Sequence, residues 1–245
     1  MEKPLYDELF KVEEVHWWFV ARRSIVKHLL SKYLSFDLSS RQIKIADLGC
    51  GCGANLIEYN KSYSVTGMDP SLDAVKYCQK RGIAIQQGAL PHNCTLPVNS
   101  FHAVLMLDVL EHIEEDEEAL GKTYELLNND GIIVLTVPAY QWLYTKRDEF
   151  HHHKRRYSKK QLDQILRKAG FKRVLLSYYN FWLFPCVALV RMIGKMLGLD
   201  RSGCDVKVPN RFINRIVQII FESERLFLPV PGLPFGVSLV AVYKK

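Results

Sequence analysis

Short apolar runs, each followed by a polar stretch of helical length, constrain the fold of this chain more than any other feature. The runs cover residues 43–48, 65–68, 83–86, 103–107 and 132–137. The predicted helices between and after them lie near residues 54–61, 71–81, 114–127 and 159–169. Short strands that alternate with helices are typical of a parallel sheet built from β–α–β units. The chain is therefore predicted to be an α/β protein.

The last third of the chain departs from this alternation. Gly170 suits a helix C-cap, and residues 172–178 and 237–243 are predicted to form a sixth and a seventh strand. Almost sixty residues separate these two strands. A plain loop of that length is uncommon in a compact domain, so an insertion with helices of its own is predicted here.

A glycine-rich loop follows the first strand directly, as Asp47-Leu48-Gly49-Cys50-Gly51-Cys52-Gly53. Glycines allow a tight turn and a close approach of the backbone to a ligand, and the next helix offers unpaired N–H groups. An acid ahead of the loop is unfavourable beside a pyrophosphate but favourable beside an ammonium group. Asp69 ends the second strand twenty residues after Gly49, where a carboxylate can accept hydrogen bonds from both ribose hydroxyls. Met68 and Pro70 beside it offer apolar surface to an adenine ring.

Four motifs then occur in order: DLGCGCGAN, GMDPS, LDVLEHI and TVPAY. Together they resemble the class I S-adenosylmethionine-dependent methyltransferases over residues 40–176, in a bacterial branch of the type 11/12-like kind. The resemblance implies a Rossmann-like, doubly wound sheet of seven strands with the last strand antiparallel. It also implies three units: an N-terminal helical lid (1–40), a methyltransferase domain (41–178 and 236–245), and an apolar helical insertion between strands six and seven (179–235).

The resemblance further implies S-adenosyl-L-methionine as cofactor and a set of residues that bind it. These are Asp47, Gly49, Cys50, Gly51 and Gly53 at the methionine end, Asp69 and Pro70 at the ribose, and Ala89, Leu90, Leu107 and Asp108 around the adenine and the amine. Many relatives carry an acid after the third strand that accepts a bond from the adenine amino group. Here that stretch is Gln87-Gly88-Ala89-Leu90, so adenine is expected to be recognised by backbone or water.

Methyl transfer from a sulfonium is an in-line displacement, in which positioning and water exclusion supply much of the acceleration. A general base is needed only if the group that accepts the methyl is a hydroxyl or an acidic carbon, and histidine suits the role of base near neutral pH. His112 follows the fourth strand, where a structural or cofactor-side role is favoured over a catalytic one. Asp148 and His153 belong to a D-E-x-x-x-H-x-R-R-Y stretch that resembles a signature of the same branch. His153, Asp148 and His112 are therefore the catalytic candidates.

Acceptor binding is assigned to two segments. In the first, Arg155, Arg156 and Tyr157 follow His153, and paired arginines suit a phosphate or carboxylate; the alternative is a basic, solvated helix start. In the second, His16, Trp17 and Arg22 lie in an aromatic N-terminal segment. That segment is either a lid over the cofactor or acceptor, or a stripe that packs on the core.

No metal is predicted. The six cysteines lack zinc spacing and are expected to be free thiols. Three consecutive histidines, 151–153, suggest a metal at first sight, but adjacent side chains diverge from one another.

The insertion motivates a hypothesis about the acceptor. Residues 181–197 are apolar almost all round, and residues 211–228 place Arg211, Arg215, Gln218, Glu222 and Arg225 on one helical face with apolar residues opposite. Such a pattern fits a helix that lies at a membrane surface, so a lipid-like acceptor and a cytoplasmic protein docked on the inner membrane face are the hypothesis. A cap over a small soluble acceptor and a dimer seam are the alternatives.

Other functions fit less well. A nicotinamide-dependent oxidoreductase predicts G-x-G-x-x-G, which the first turn lacks. The net charge of +7 favours nucleic acid as a partner, but the fourth strand is not followed by the (D/N)PPY motif that base-methylating enzymes use, so nucleic acid is not expected. A non-catalytic binding module with the same fold is a further alternative, and the sequence does not predict the oligomeric state. No secretory signal and no membrane-spanning helix are predicted.

Overall fold

The centre of the molecule is a seven-stranded sheet. A computed structural model describes residues 3–34, 42–198, 207–228 and 232–245. The strands are β1 Lys44–Leu48, β2 Ser64–Asp69, β3 Gln86–Gln87, β4 Phe101–Leu107, β5 Leu127–Pro138, β6 Lys172–Tyr179 and β7 Ser238–Lys244. Their order is β3-β2-β1-β4-β5-β7-β6, and β7 runs antiparallel to the other six strands. The predicted sheet, with its last strand antiparallel, is confirmed.

Nine α-helices flank the sheet in the described part of the chain. They are α1 Lys3–Val12, α2 Trp17–Tyr33, α3 Ala54–Tyr59, α4 Leu72–Lys80, α5 Asp116–Leu126, α6 Lys146–Phe150, α7 Lys159–Lys168, α8 Phe184–Met196 and α9 Arg211–Ser223. Within the described ranges, the helices are all too short or too polar to cross a membrane.

Both faces of the sheet are buried, which explains why the central strands are continuous apolar runs. Along β4, Val104 and Met106 belong to the core on one face, whereas Ala103 and Leu105 belong to the core on the other. This alternation follows the two-residue period of a strand. The carboxyl ends of β1, β2, β4 and β5 consequently meet at one rigid edge, where the polar residues of the glycine loop and the strand ends collect.

Two predicted elements differ from the structure. The third strand, predicted at 83–86, comprises only Gln86–Gln87, because it is an exposed edge strand that pairs with just Met68 and Asp69. The N-terminal segment, predicted as helical throughout, is divided at residues 13–16 into α1 and α2. The predicted boundary between lid and domain, at residue 40, lies outside the described residues.

The insertion packs on the N-terminal helices through α9. Asn214 accepts a hydrogen bond from the Trp17 backbone N–H (3.0 Å) and donates one to the Val15 carbonyl (2.8 Å). Phe221 contacts the rings of both Trp17 and Trp18. The helical period predicts Gln218 on the polar face of α9, but this residue is buried. The reason is that the side of α9 that carries Asn214 and Phe221 faces α2.

Glu224 joins the two halves of the insertion. Its Oε1 accepts the backbone N–H groups of Phe181 (2.7 Å) and Trp182 (3.2 Å), just ahead of α8. The side chain is fully buried, and burial raises the pKa of Glu224 to about 7. The folded state therefore retains a proton that the unfolded chain releases.

We expect Glu224→Gln to remove a pH dependence of stability. Between the ordinary carboxyl pKa of 4.5 and the raised value of about 7, the folded state binds more protons than the unfolded state, so stability falls as pH rises. The variant should match the wild type near pH 4.5 and exceed it by about 3 kcal/mol at pH 8, since a pKa shift from 4.5 to about 7 costs about 1.4 kcal/mol per unit. Urea unfolding at both pH values measures this difference. An equal difference at the two pH values would contradict the assignment.

Candidate functional site

A cavity of about 400 Å³ opens at the carboxyl edge of the sheet. It lies beside the ends of β1, β2 and β4, where ligands bind in open α/β sheets. Its lining combines the glycine loop, the end of β2, the segment after β3 and the turn after β4. The lining residues are Tyr6, Leu48, Gly49, Met68, Asp69, Pro70, Gly88, Ala89, Leu90, Asp108, Val109, His112, Ile113, Glu114, Glu115, His152 and Lys154.

The glycine loop is shaped so that only glycine fits at its first turn. Gly49 has a φ of +71°, and a Cβ there would lie 2.6 Å from a methyl carbon of Val109. The Gly49 N–H donates to the Met68 carbonyl (2.7 Å), which fastens the loop to β2. The backbone can therefore approach a ligand closely at this point.

Asp69 organises the middle of the cavity. Its Oδ2 accepts the Gly51 N–H (3.0 Å), and its Oδ1 accepts the Ser71 N–H (3.0 Å) and the Tyr6 hydroxyl (3.2 Å). Tyr6 belongs to α1, so the first helix reaches over the carboxylate. Burial raises the pKa of Asp69, and these donors oppose that effect. The side chain lines the cavity, as its sequence position predicted.

Asp47 lies beneath the loop rather than in the cavity wall. It is buried, and its Oδ2 has no hydrogen-bond partner within the described part of the chain. Burial raises the pKa of Asp47 to about 7, against the effect of the Arg22 guanidinium. A buried carboxylate oxygen without a partner favours a nearby cationic donor.

The predicted cofactor residues other than Asp47 divide into two groups. Gly49, Asp69, Pro70, Ala89, Leu90 and Asp108 line the cavity. Cys50, Gly51, Gly53 and Leu107 lie next to it without lining it. Cys50 packs with Leu56 and Cys78 in a small apolar cluster, and a Cβ on Gly53 would lie 2.9 Å from the Cys78 sulfur.

Arg22, predicted to bind the acceptor, is paired internally. Its buried guanidinium forms an ion pair with the partly exposed carboxylate of Asp108, whose other oxygen accepts the Thr136 hydroxyl (3.1 Å). Asp108 lines the cavity with a φ of +58°. Arg22 therefore positions a cavity residue from behind and fastens α2 to the end of β4.

His16 and Trp17, which were also predicted to bind the acceptor, have structural roles. His16 caps α2 by accepting the Trp18 N–H (3.2 Å), and burial lowers its pKa to about 4, so it is neutral. Trp17 packs on Phe221. The structure thus brings neither side chain to the cavity.

The other end of the cavity carries the histidine candidates. His112 lines it, and burial lowers the pKa of this imidazole to about 3. Its ring meets the ring of His153 edge to face, with centroids 4.7 Å apart. His153 Nδ1 lies 2.9 Å from Asp148 Oδ1. The three catalytic candidates thus form one connected group.

Asp148 is the centre of a buried ionic network. Arg156 reaches its Oδ1 (2.6 Å) and Arg191 of α8 reaches its Oδ2 (3.4 Å). Burial acts to raise the pKa of Asp148, but the bond to His153 and the charge of Arg156 outweigh it and hold that pKa well below its ordinary value. The carboxylate is therefore ionised.

The arginine pair is likewise occupied within the protein. Arg156 is almost fully buried on Asp148, whereas Arg155 pairs with Asp116 (3.1 Å) and Glu114 (3.3 Å). The Tyr157 hydroxyl donates to Asp116 (2.8 Å). These three residues, predicted to bind the acceptor, lie outside the cavity lining.

Sequence reasoning missed several residues of the site. Tyr6 and Lys154 line the cavity, and Glu111 is fully buried next to the histidines. Burial and the charge of Asp108 raise the pKa of Glu111 well above its ordinary value. The sequence Leu110-Glu111-His112 could have indicated Glu111, because a glutamate that directly follows a buried strand is rarely buried without a partner.

A family model described as a methyltransferase domain matches residues 21–176 of the chain. That range includes the glycine loop, Asp69 and the histidine group. A comparison with curated protein sequences finds no match.

Solved structures share the fold. A S-adenosylmethionine-dependent methyltransferase from Archaeoglobus fulgidus superposes with a TM-score of 0.56 at 18% identity, covering 91% of this chain and 94% of its own. A possible histamine N-methyltransferase from Thermotoga maritima gives 0.58 at 17% identity, covering 98% and 94%. Phosphoethanolamine N-methyltransferase 2 from Haemonchus contortus, in complex with S-adenosyl-L-methionine, gives 0.59 at 13% identity, covering 98% of this chain and 60% of its own.

Proposed function

The chain belongs to the methyltransferase domain family, and we propose that it transfers the methyl group of S-adenosylmethionine to a lipid-like acceptor at a membrane surface. Two features support this proposal. The cavity at the sheet edge suits the cofactor, and the insertion exposes an apolar surface beside it.

The residues and backbone shape of the cavity suit the cofactor. Asp69 offers carboxylate oxygens to ribose hydroxyls, and the Gly49 turn admits the close approach of a ligand. Asp47 does not line the cavity, but its carboxyl group beneath the glycine loop places an acid on the side proposed for the ammonium group of the methionine end. Gly88, Ala89 and Leu90 line the cavity without an acid, so in this proposal backbone groups or water recognise the adenine ring.

When bound, the cofactor supplies an electrophilic methyl group on a sulfonium. The protein's part is to hold donor and acceptor in line and to exclude water. Tyr6 carries α1 across the cavity, and Arg22 holds Asp108 in the wall. His112 lies at the far end of the same cavity, where an acceptor would enter.

The observation that carries the acceptor proposal is the exposed apolar surface of α8 and α9. Met196 is 82% exposed and Phe212 is 75% exposed. Each of the two helices exposes a set of apolar side chains, and the two sets are together called the apolar surface: Leu189, Val190, Met192, Ile193 and Met196 on α8, and Phe212, Ile213, Ile216, Ile219 and Ile220 on α9. Large exposed apolar patches mark interaction or membrane sites on soluble folds.

Charge favours an anionic lipid surface over other partners. The helices α8 and α9 contain four basic residues, Arg191, Lys195, Arg211 and Arg215, and one acid, Glu222. Arg211 and Arg215 are exposed beside the apolar surface. Basic residues beside an apolar helix face are the pattern of helices that lie in the headgroup region.

The apolar surface is also close to the site. Arg191 of α8 bonds to Asp148, which holds His153 against His112 in the cavity wall. On the other side, α9 packs on α2, whose Arg22 holds Asp108. A membrane under these helices would therefore lie beside the acceptor end of the cavity.

The reaction is tested with a labelled methyl donor. The protein is incubated with methyl-labelled S-adenosylmethionine and either vesicles of total lipid extract or the soluble metabolites of the same cells. We expect label in the organic phase, and none with Asp69→Ala. Label that appears only with the soluble fraction would favour the small-metabolite alternative and overturn the lipid proposal.

Membrane docking is a separate prediction. Vesicles that contain anionic lipid should carry the wild type upward in flotation. Replacing three apolar-surface residues together (Phe212→Ser, Ile216→Ser, Ile219→Ser) should lower the partition coefficient at least about tenfold, since each buried apolar side chain contributes about 1.5–3 kcal/mol. A matched triple of exposed apolar residues elsewhere (Leu72→Ser, Val98→Ser, Val174→Ser) should float like the wild type.

Equal flotation of both triple variants would contradict docking through the apolar surface. Light scattering on the same samples identifies the rival. A wild-type dimer that the first triple variant converts to a monomer, without any flotation, would assign the surface to a dimer seam.

A further inference from the structure

A fully buried carboxyl group lies behind the acceptor end of the cavity without a protein partner. Glu111 has no exposed surface, and neither of its carboxylate oxygens is hydrogen-bonded by any residue in the described ranges. Buried carboxyl groups are normally hydrogen-bonded, paired or bound to a metal, because burial without a partner is costly. Glu111 therefore indicates a ligand.

Two histidines converge on this carboxyl group. One ligand atom each from Glu111, His112 and His153 can be chosen so that all lie within 4.8 Å of one another. His153 Nε2 is 3.9 Å from Glu111 Oε1. The three residues come from two segments, the turn after β4 and the turn after α6, which the fold brings together.

The second nitrogen of His153 is already oriented. Its Nδ1 lies 2.9 Å from Asp148 Oδ1, and Asp148 is held by Arg156. A proton on Nδ1 that is donated to a carboxylate leaves the lone pair of Nε2 directed away from Asp148, toward Glu111. Metal-binding histidines are fixed by this same kind of outer carboxylate.

We propose that Glu111, His112 and His153 bind a divalent transition-metal ion. Two imidazoles and one carboxylate suit zinc, and three protein ligands leave one coordination position open. Because His112 lines the cavity, that position faces the acceptor end. A metal there binds an acceptor oxygen and polarises it. Metal binding itself is independent of the acceptor; only this polarising role rests on the proposed function.

The site differs from what the histidine run suggested. Residues 151–153 do not converge on one point. His152 lines the cavity, whereas His153 turns to Asp148 and Glu111. Glu111 and His112 are more than forty residues earlier in the chain than His153, so the run by itself did not reveal them.

Calorimetric titration of the chelator-treated full chain with zinc chloride tests the proposal. We expect one zinc per chain in the wild type. Glu111→Gln and His153→Gln should each weaken binding at least about 100-fold, beyond the 10- to 100-fold cost of losing an outer partner. His151→Ala is the matched control, since this histidine lies next to the group without belonging to it, and it should bind like the wild type.

A second measurement needs no variant. Cobalt(II) added to the metal-free wild type should give the visible absorption of a four-coordinate site at one ion per chain, and one equivalent of zinc should abolish it. No visible band, or zinc binding that is unchanged in folded Glu111→Gln, would overturn the proposal. Titration of the same samples with S-adenosylmethionine reports on the cofactor site separately, so failure of the metal site and failure of the proposed function are distinguishable.

Discussion

Asp69→Ala should weaken the binding of S-adenosylmethionine by at least about 100-fold. The carboxylate lines the cavity, and two charge-assisted hydrogen bonds to ribose hydroxyls are worth about 1.5–3 kcal/mol each. The variant also releases the Gly51 N–H that Asp69 holds at 3.0 Å, which loosens the glycine loop. Asp69→Asn keeps one acceptor oxygen and should give an intermediate affinity. Calorimetric titration measures all three proteins.

The control for this experiment is Asp73→Ala, which removes an acid from the first turn of α4 outside the cavity lining. It should bind the cofactor like the wild type. Thermal melts establish that each variant is folded. Wild-type affinity in folded Asp69→Ala would show that the ribose is held elsewhere and would remove Asp69 from the site.

Arg22→Met should destabilise the fold by about 1–3 kcal/mol, less than the about 3–5 kcal/mol of a fully buried pair, because the Asp108 side chain is 23% exposed. Arg22 and Asp108 are paired between α2 and the end of β4, and Arg22 also offsets the buried charge of Asp47. The double variant Arg22→Met, Asp108→Asn should recover part of the loss, because no uncompensated charge remains on Asp108. Urea unfolding at pH 7 measures the free energies.

Lys27→Met is the matched control on the same helix. Lys27 pairs with Glu58 (2.7 Å) in a half-exposed setting, where an ion pair contributes at most about 1 kcal/mol. If Arg22→Met cost no more than Lys27→Met, the Arg22–Asp108 pair would not be a structural support of the cavity wall.

The sheet and the cofactor end of the site could be predicted because their signals are local. Strand period, glycine spacing and an acid at a strand end depend on neighbouring residues, so Gly49 and Asp69 were assigned from the sequence and lie at the cavity. The short edge strand β3 was misplaced because its residues are exposed and pair on one side only.

The acceptor end was harder to predict because its residues pair across the fold. Arg155 and Arg156 fit a phosphate site by composition, yet they neutralise Asp116 and Asp148 inside the protein. The 3.6-residue period divides α9 into two faces but does not say which face is buried. Packing against α2 determines which face of α9 is buried. As a result Gln218 is buried and Phe212 is exposed.

Calorimetric titration of the wild type with S-adenosylmethionine, S-adenosylhomocysteine and NADH tests the central claim most directly. The account predicts saturable 1:1 binding of the first two ligands and none of NADH, because the loop carries an acid ahead of its glycines and lacks the dinucleotide pattern. Binding of NADH, or no binding of either sulfur ligand by folded protein, would contradict the assignment of this cavity to a methyl donor.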